Sequence, residues 1–126
     1  MASVAICDSD PERLESVAGI FDIRETFADV EEVIASPDFN AVHLNTGIPD
    51  HAKQTLSVLE SGKHCACAVP MATAIEDLRA IVDVERRTGL NYMMMETSVY
   101  TRPFLHASDL LDKGEFGRVQ FLRGAH

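Results

Sequence analysis

The first chemically suggestive pair in the sequence is an aspartate and an arginine five residues apart. Asp8 ends a short apolar run that begins at Ser3, and Arg13 lies in the helical segment that follows. A carboxylate at the end of a strand can accept hydrogen bonds from two neighbouring ligand hydroxyls, and its charge repels a phosphate. The alternative is that Asp8 caps or solvates the next helix and that Arg13 is a solvated helix residue.

A second candidate is a loop that leads from an apolar strand into a helix, formed by Asn45, Thr46, Gly47, Ile48 and Pro49. A glycine lets the backbone pass close to a ligand, and the start of a helix offers free N–H groups. The alternative is an ordinary loop whose glycine and proline serve only the turn. His51 lies one turn into the helix, where a structural role is the simpler interpretation.

The cysteines raise the question of a metal site. Cys65 and Cys67 are two apart on a predicted strand, which places both thiols on one face and His64 on the other. No second ligand pair has zinc spacing, so we predict buried thiols and no metal. With Cys7 the total is three, which makes no disulfide framework and is typical of a reduced, cytoplasmic protein.

Short β-branched runs alternate with helical segments along the chain. Strands are predicted over 3–7, 24–27, 41–45, 64–68, 91–95 and 118–122. Helices are predicted after Pro11, over about 29–35, between Pro49 and Gly62, between Thr73 and Gly89, and over 101–113. Ser9 with Glu12, and Thr73 with Glu76, fit capping boxes. This order predicts an α/β fold with a parallel sheet flanked by helices.

Size and charge exclude several classes of function. The chain has 126 residues, with 20 acidic and 11 basic side chains and a formal net charge of −9. The length supports one domain. The acidic balance argues against nucleic acid or an anionic membrane as the main partner. No apolar run approaches the roughly 20 residues of a membrane span, and the start has no basic region typical of a signal peptide.

Four segments in order, 7–14, 45–51, 62–73 and 115–119, resemble the nucleotide-binding half of the Gfo/Idh/MocA oxidoreductases. The resemblance covers nearly the whole chain. It implies a Rossmann domain that holds NAD or NADP, followed by a separate α/β domain for a sugar-like substrate. It also implies hydride transfer to or from a sugar or cyclitol hydroxyl.

The resemblance assigns roles to individual residues. Asp8 would bind the adenosine ribose, which favours NAD over NADP, and Arg13 would reach the adenine or a phosphate. The loop 45–49 would contact the nicotinamide-side ribose and the pyrophosphate, and His51 matches a family histidine. Val69 stands where the family commonly has a lysine that assists proton transfer. Valine cannot titrate, so the catalytic residue stays unknown; the weak alternatives are Glu96, Tyr100 and His106.

The sequence also departs from the family pattern. None of the seven glycines forms Gly-x-Gly, and the first strand, ending in Asp8, corresponds to the family's second strand. We therefore expect a partial Rossmann domain over 1–116 and, over 117–126, the first strand of a substrate domain. We expect weak dinucleotide binding and little turnover. The alternatives are a non-catalytic dimerising or interaction module and a truncated gene product; a homo-oligomer is left open.

Overall fold

The computed structural model describes residues 3–124 and divides the chain into two compact units, one ending at Met95 and one beginning at Glu96. The first unit alternates strands and helices: β1 (Ala5–Cys7), α1 (Pro11–Phe21), β2 (Glu25–Phe27), α2 (Val30–Ala35), β3 (Ala41–Leu44), α3 (His51–Glu60), β4 (His64–Ala68), α4 (Ile75–Thr88) and β5 (Tyr92–Met95). A 3₁₀ turn, Ile48–Asp50, precedes α3. The predicted α/β class is confirmed.

All strand pairs are parallel, but the strands form two sheets. β1 pairs with β2, and β4 lies between β3 and β5. Within the described residues β1 and β3 do not pair with each other, so each has one edge without a strand partner. The two parallel sheets are therefore not joined by a β1–β3 pair.

The core lies where α3 and α4 pack against the three-stranded sheet. Side chains on one face of α3 are fully or nearly fully buried, because they recur every three or four residues: His51, Thr55, Val58 and Leu59. Ile81 on α4 and Cys67 on β4 are fully buried with them. Gly62 and Gly89 end the two helices with positive φ, as their sequence positions predict.

The two thiols of β4 are buried, as predicted. Burial raises the pKa of Cys65 to about 11 and raises the pKa of Cys67 as well. Cys7 is exposed. Because the thiolate is the nucleophile, Cys65 stays protonated and unreactive at pH 8. We expect a thiol reagent to label one cysteine in the folded chain at pH 8 and three in denaturant; equal labelling rates for all three in the folded chain would contradict this arrangement.

Both predicted capping boxes are wrong, because each helix begins one residue later than the pattern suggests. Asp10, not Ser9, caps α1: its side chain accepts hydrogen bonds from the N–H groups of Glu12 and Arg13. Ala74 occupies the cap position of α4, which has no side-chain cap. Acidic residues in the first turn of α4 still favour this end of the helix through its dipole.

The second unit contains a 3₁₀ turn, Thr97–Tyr100, and helix α5, Arg102–Asp112. Residues 118–122, predicted as a strand, form no strand in the described part of the chain. A β-pattern alone does not make a strand, since each strand needs a neighbour for its backbone groups. The domain boundary at 116 stays a prediction. No helix among residues 3–124 is long and apolar enough to cross a membrane.

Candidate functional site

The carboxyl ends of β1, β2 and β3 face one cleft of about 600 Å³, which we call the carboxyl-end cleft. Parallel strands place these ends at the same edge of a sheet, where α/β folds bind their ligands. The volume lies within the range of small-molecule sites. Five of the predicted residues line the cleft together: Asp8, Arg13, Asn45, Thr46 and Gly47.

Asp8 is held in place by two donors. Its Oδ1 accepts a hydrogen bond from the backbone N–H of Asp10 at 2.9 Å, and Nη1 of Arg13 lies 3.0 Å from its Oδ2. The Asp10 N–H has the largest effect and lowers the pKa of Asp8; burial opposes it, and the Arg13 guanidinium lowers the pKa further, so that it lies below its usual value. Asp8 is therefore charged at neutral pH and keeps acceptor capacity for ligand hydroxyls.

Arg13 both pairs with nearby carboxylates of its own segment and lines the cleft. Its second guanidinium nitrogen, Nη2, lies 3.2 Å from Oδ2 of Asp10, so the side chain bridges two carboxylates. Its side chain is nevertheless well exposed and lines the cleft. Arg13 thus orients Asp8 while its remaining N–H groups stay available to a ligand.

Acidic side chains outnumber basic ones in the cleft. Asp29 and Asp50 line it together with Asp8, whereas Arg13 is the one cation among its described lining residues. Carboxylates accept hydrogen bonds from hydroxyls and disfavour added phosphate groups. Among residues 3–124, no group of three His, Cys, Asp or Glu side chains is placed to hold a metal ion.

Gly47 is not required by its own loop. Its φ is −67°, which any residue adopts, and a Cβ added there would meet only Oδ2 of Asp50 at 3.6 Å and Cδ of Pro49 at 3.8 Å. These are ordinary contacts. The turn therefore does not require a glycine at this position, and contact of Gly47 with a ligand stays a prediction.

Ile48, Pro49 and His51 do not line the cleft. Ile48 and Pro49 are exposed in the 3₁₀ turn. His51 is 1% exposed, with Nδ1 2.8 Å from the carbonyl oxygen of Pro70 and Nε2 3.1 Å from that of Thr46. It ties the loop to the segment after β4, which is a structural contact; a cofactor contact of Ile48, Pro49 or His51 stays a prediction. Since both carbonyl oxygens can only accept hydrogen bonds, the ring is the donor in this contact.

Val69 directly follows the carboxyl end of β4, and its side chain is 40% exposed. It offers no titratable group there. The three weak alternatives belong to the second unit. There the Glu96 side chain accepts a hydrogen bond from the N–H of Ser98 and caps the 3₁₀ turn. The catalytic residue stays unassigned.

Asp29, Asp50 and Gln54 also line the cleft and were not among the predicted site residues. Asp29 follows β2 just as Asp8 follows β1, and this shared position was the available signal. Gln54 lies one turn into α3 and accepts a hydrogen bond from Oγ1 of Thr46. Asp50 belongs to the 3₁₀ turn and points towards Gly47. No sequence signal marks Asp50 or Gln54, since only the fold brings the 3₁₀ turn and the start of α3 to the cleft.

Known oxidoreductases are similar to this chain in sequence and in fold. The chain is 34% identical over 115 residues to inositol 2-dehydrogenase 3 of Saccharopolyspora erythraea, covering 90% of this chain and 34% of that protein. It superimposes with a TM-score of 0.86 and 25% identity on an Agrobacterium radiobacter oxidoreductase in complex with NAD⁺, L-tartaric acid and magnesium, covering 91% and 34%. A scyllo-inositol dehydrogenase of Lactobacillus casei, with NAD(H) and scyllo-inositol bound, gives 0.82 and 23%, covering 90% and 34%.

The chain spans about a third of the length of the relatives it matches. Residues 1–96 match the family model for oxidoreductases of the Gfo/Idh/MocA type, with an NAD-binding Rossmann fold. That range includes every element of the first unit and all the residues of the carboxyl-end cleft. The chain belongs to the Gfo/Idh/MocA oxidoreductase family and carries its NAD-binding Rossmann domain.

Proposed function

We propose that the carboxyl-end cleft binds the adenosine ribose of NAD in an oxidoreductase that transfers hydride to or from a cyclitol or sugar hydroxyl. The observation that carries the proposal is Asp8, charged and pre-oriented at the end of β1, facing the cleft opposite the Thr46 loop. The relatives named for inositol dehydrogenation support the substrate class. When bound, the nicotinamide supplies the hydride donor or acceptor.

The residues of the cleft fit the cofactor. The carboxylate of Asp8 accepts hydrogen bonds from the ribose hydroxyls, and the Gly47 backbone lets the cofactor pass without meeting a side chain. We propose NAD over NADP because a 2′-phosphate would meet the charge of Asp8, while the guanidinium of Arg13 already bridges Asp8 and Asp10.

We propose that this chain by itself turns over little or no substrate. Val69 provides no proton donor or acceptor at the edge where the family commonly has a lysine. The chain also carries no Gly-x-Gly turn to receive the pyrophosphate. Dinucleotide binding, rather than turnover, is therefore the property to measure.

Changing Asp8→Asn is expected to weaken NAD⁺ binding about tenfold and to reduce the preference for NAD⁺ over NADP⁺. The amide is isosteric but carries no charge, so the hydrogen bonds to the ribose weaken and the repulsion of a 2′-phosphate disappears. Calorimetric titration with each dinucleotide measures both effects.

The matched control for this change is Asp10→Asn. It removes one carboxylate charge beside the same Arg13, and asparagine caps a helix as well as aspartate does. Asp10 does not line the carboxyl-end cleft. We expect Asp10→Asn to bind NAD⁺ like the unaltered chain; an equal loss in both variants would assign the effect to general charge and refute the ribose contact.

Changing Gly47→Ala is expected to leave the melting temperature within about 2 °C and to weaken NAD⁺ binding about fivefold. The added methyl group makes only ordinary contacts inside the protein, so it should not destabilise the fold. It would instead occupy space in the cleft and weaken the binding of a ligand there. Gly19→Ala is the control, because a Cβ there faces open space on α1. A large fall in melting temperature for Gly47→Ala would instead show that the glycine serves the turn.

A further inference from the structure

The outward side of helix α4 carries an apolar stripe outside the face that joins the core. Ile81 and Val84 are buried in the core. Ile75 is 61% exposed and Val82 is 37% exposed, and Leu78 lies partly buried between them. The stripe lies in a hollow of about 360 Å³, which we call the α4 hollow and which is lined by Ile75, Leu78, Arg79, Val82, Asp83 and Arg86. The solvent side of a helix is ordinarily polar, so this stripe indicates a contact surface.

Charged side chains border the stripe and have no ion-pair partner among residues 3–124. The cations of the ion pairs in that part of the chain are Arg13, Arg87 and Lys113. Arg79 and Asp83 stand four residues apart, a spacing that permits a pair along the helix, yet they do not form one. The charges that border the stripe without a pair are Glu76, Arg79, Asp83 and Arg86. Two acids and two bases are therefore available to a partner.

The spacing of these charges is self-complementary. Arg79 and Asp83 lie symmetrically about residue 81, and so do Glu76 and Arg86. When two copies of a helix pack antiparallel about a twofold axis, residues at equal distances before and after that axis lie side by side. An axis at residue 81 therefore sets each arginine beside an acid of the second copy. At about 100° per residue all four charges lie on one side of the stripe, and the twofold axis brings the matching sides of the two helices together.

We propose that the α4 hollow binds the α4 hollow of a second copy of this chain, with the two helices antiparallel across a twofold axis near residue 81. Leu78 then lies close to Val82 of the second copy, so the two apolar stripes bury each other. Each arginine of the hollow pairs with an acid of the second copy: Arg79 with Asp83, and Arg86 with Glu76. The inference is independent of the proposed function, because the α4 hollow and the carboxyl-end cleft share no lining residue.

The charges favour a second copy over other occupants. A nucleic acid or an anionic surface would meet Glu76 and Asp83 as well as the arginines, on a chain of net charge −9. A wholly acidic partner would leave the same two acids unpaired. Helix α4 has 14 residues and spans about 21 Å, so one helix pair buries less than the roughly 1,200 Å² of a stable interface. We therefore expect a weak, reversible dimer with a Kd of about 100 µM.

Sedimentation equilibrium of the full chain between about 10 µM and 1 mM tests the proposal. We expect a reversible monomer–dimer equilibrium, and Val82→Glu, which places a charge in the stripe, should weaken it at least about tenfold. Ile20→Glu is the matched control, because Ile20 is 71% exposed on α1, outside the α4 hollow, and the change adds the same charge. It should dimerise like the unaltered chain, with circular dichroism showing that both variants are folded.

Charge reversals test the pairing itself. Arg79→Glu sets acid against acid and Asp83→Arg sets base against base, so each variant alone should dimerise at least about fivefold more weakly. An equimolar mixture should recover the affinity of the unaltered chain, because in a mixed dimer one pair is reversed on both sides and the other is unchanged. General repulsion between acidic chains predicts a different result: Asp83→Arg, which lowers the net negative charge, would then associate more tightly.

A fluorescein label on one variant lets the mixed dimer be followed at a separate wavelength. Three results would overturn the proposal: a monomer at about 1 mM, equal effects of Val82→Glu and Ile20→Glu on the dimer, or no recovery in the mixture. A dimer that keeps its affinity in every α4 variant would place the interface on another surface of the chain, which also contradicts the proposal.

Discussion

Replacing His51 with alanine is expected to lower the free energy of unfolding by about 2–5 kcal/mol. The ring is 1% exposed and lies between two backbone carbonyls, those of Pro70 and Thr46. Alanine leaves a cavity and removes the imidazole ring that lies between these two carbonyls. The Thr46 loop loses its attachment, so dinucleotide binding should weaken in the same variant.

Urea unfolding followed by circular dichroism measures this loss of stability. His106→Ala is the matched control, because His106 is exposed on α5, and its effect should stay within about 0.5 kcal/mol. If His51→Ala and His106→Ala change stability equally, His51 does not tie the loop to the segment after β4 in the way the structure shows.

Replacing Leu59 with alanine is expected to cost about 2–5 kcal/mol as well. Leu59 is 0% exposed and belongs to the core cluster formed by α3, α4 and the three-stranded sheet. The cost combines the lost burial of three side-chain carbon atoms with the cavity that remains. The same unfolding experiment measures it, with an unchanged dependence on urea concentration showing that the unfolded state is unaffected.

Leu105→Ala on α5 is the control for the core substitution. Leu105 is half-exposed, and alanine favours helix at least as well as leucine. We expect a change in the free energy of unfolding within about 0.5 kcal/mol. Equal losses for Leu59→Ala and Leu105→Ala would contradict the position of the core.

The sequence pattern was sufficient to predict the strands and helices of the first unit. β4 has the bounds predicted, 64–68, and the other four strands of that unit lie within one or two residues of their predictions. Alternation with helices of ordinary length determines a parallel α/β arrangement. The caps were missed because two polar residues in a row, Ser9 and Asp10, both suit the position, and only the backbone geometry chooses between them.

The predicted strand over 118–122 shows where pattern reasoning fails. Its alternating apolar residues suit a sheet, but pairing depends on a neighbour that the sequence of the segment does not specify. The division into two sheets follows from the same point. Strand propensity says that β1 and β3 are strands, and says nothing about whether they meet.

The part of the cleft formed by residues at strand ends was predictable from the sequence. Asp8 and the loop 45–47 directly follow the carboxyl ends of β1 and β3, and both line one cleft. The contribution of Gln54 depends on how α3 packs, and the two carbonyl contacts of His51 depend on backbone positions. No spacing rule encodes those.

The central claim, that the carboxyl-end cleft binds NAD, is tested most directly by NMR. ¹H–¹⁵N correlation spectra of the chain would be recorded with NAD⁺ added to about 10 mM, a range that detects weak binding. We predict saturable shifts of the amides of Asp8, Arg13 and residues 45–47, and saturation at about tenfold higher NAD⁺ concentration in Asp8→Asn. Absence of shifts, or shifts confined to the hollow on α4 lined by Leu78 and Val82, would contradict the account.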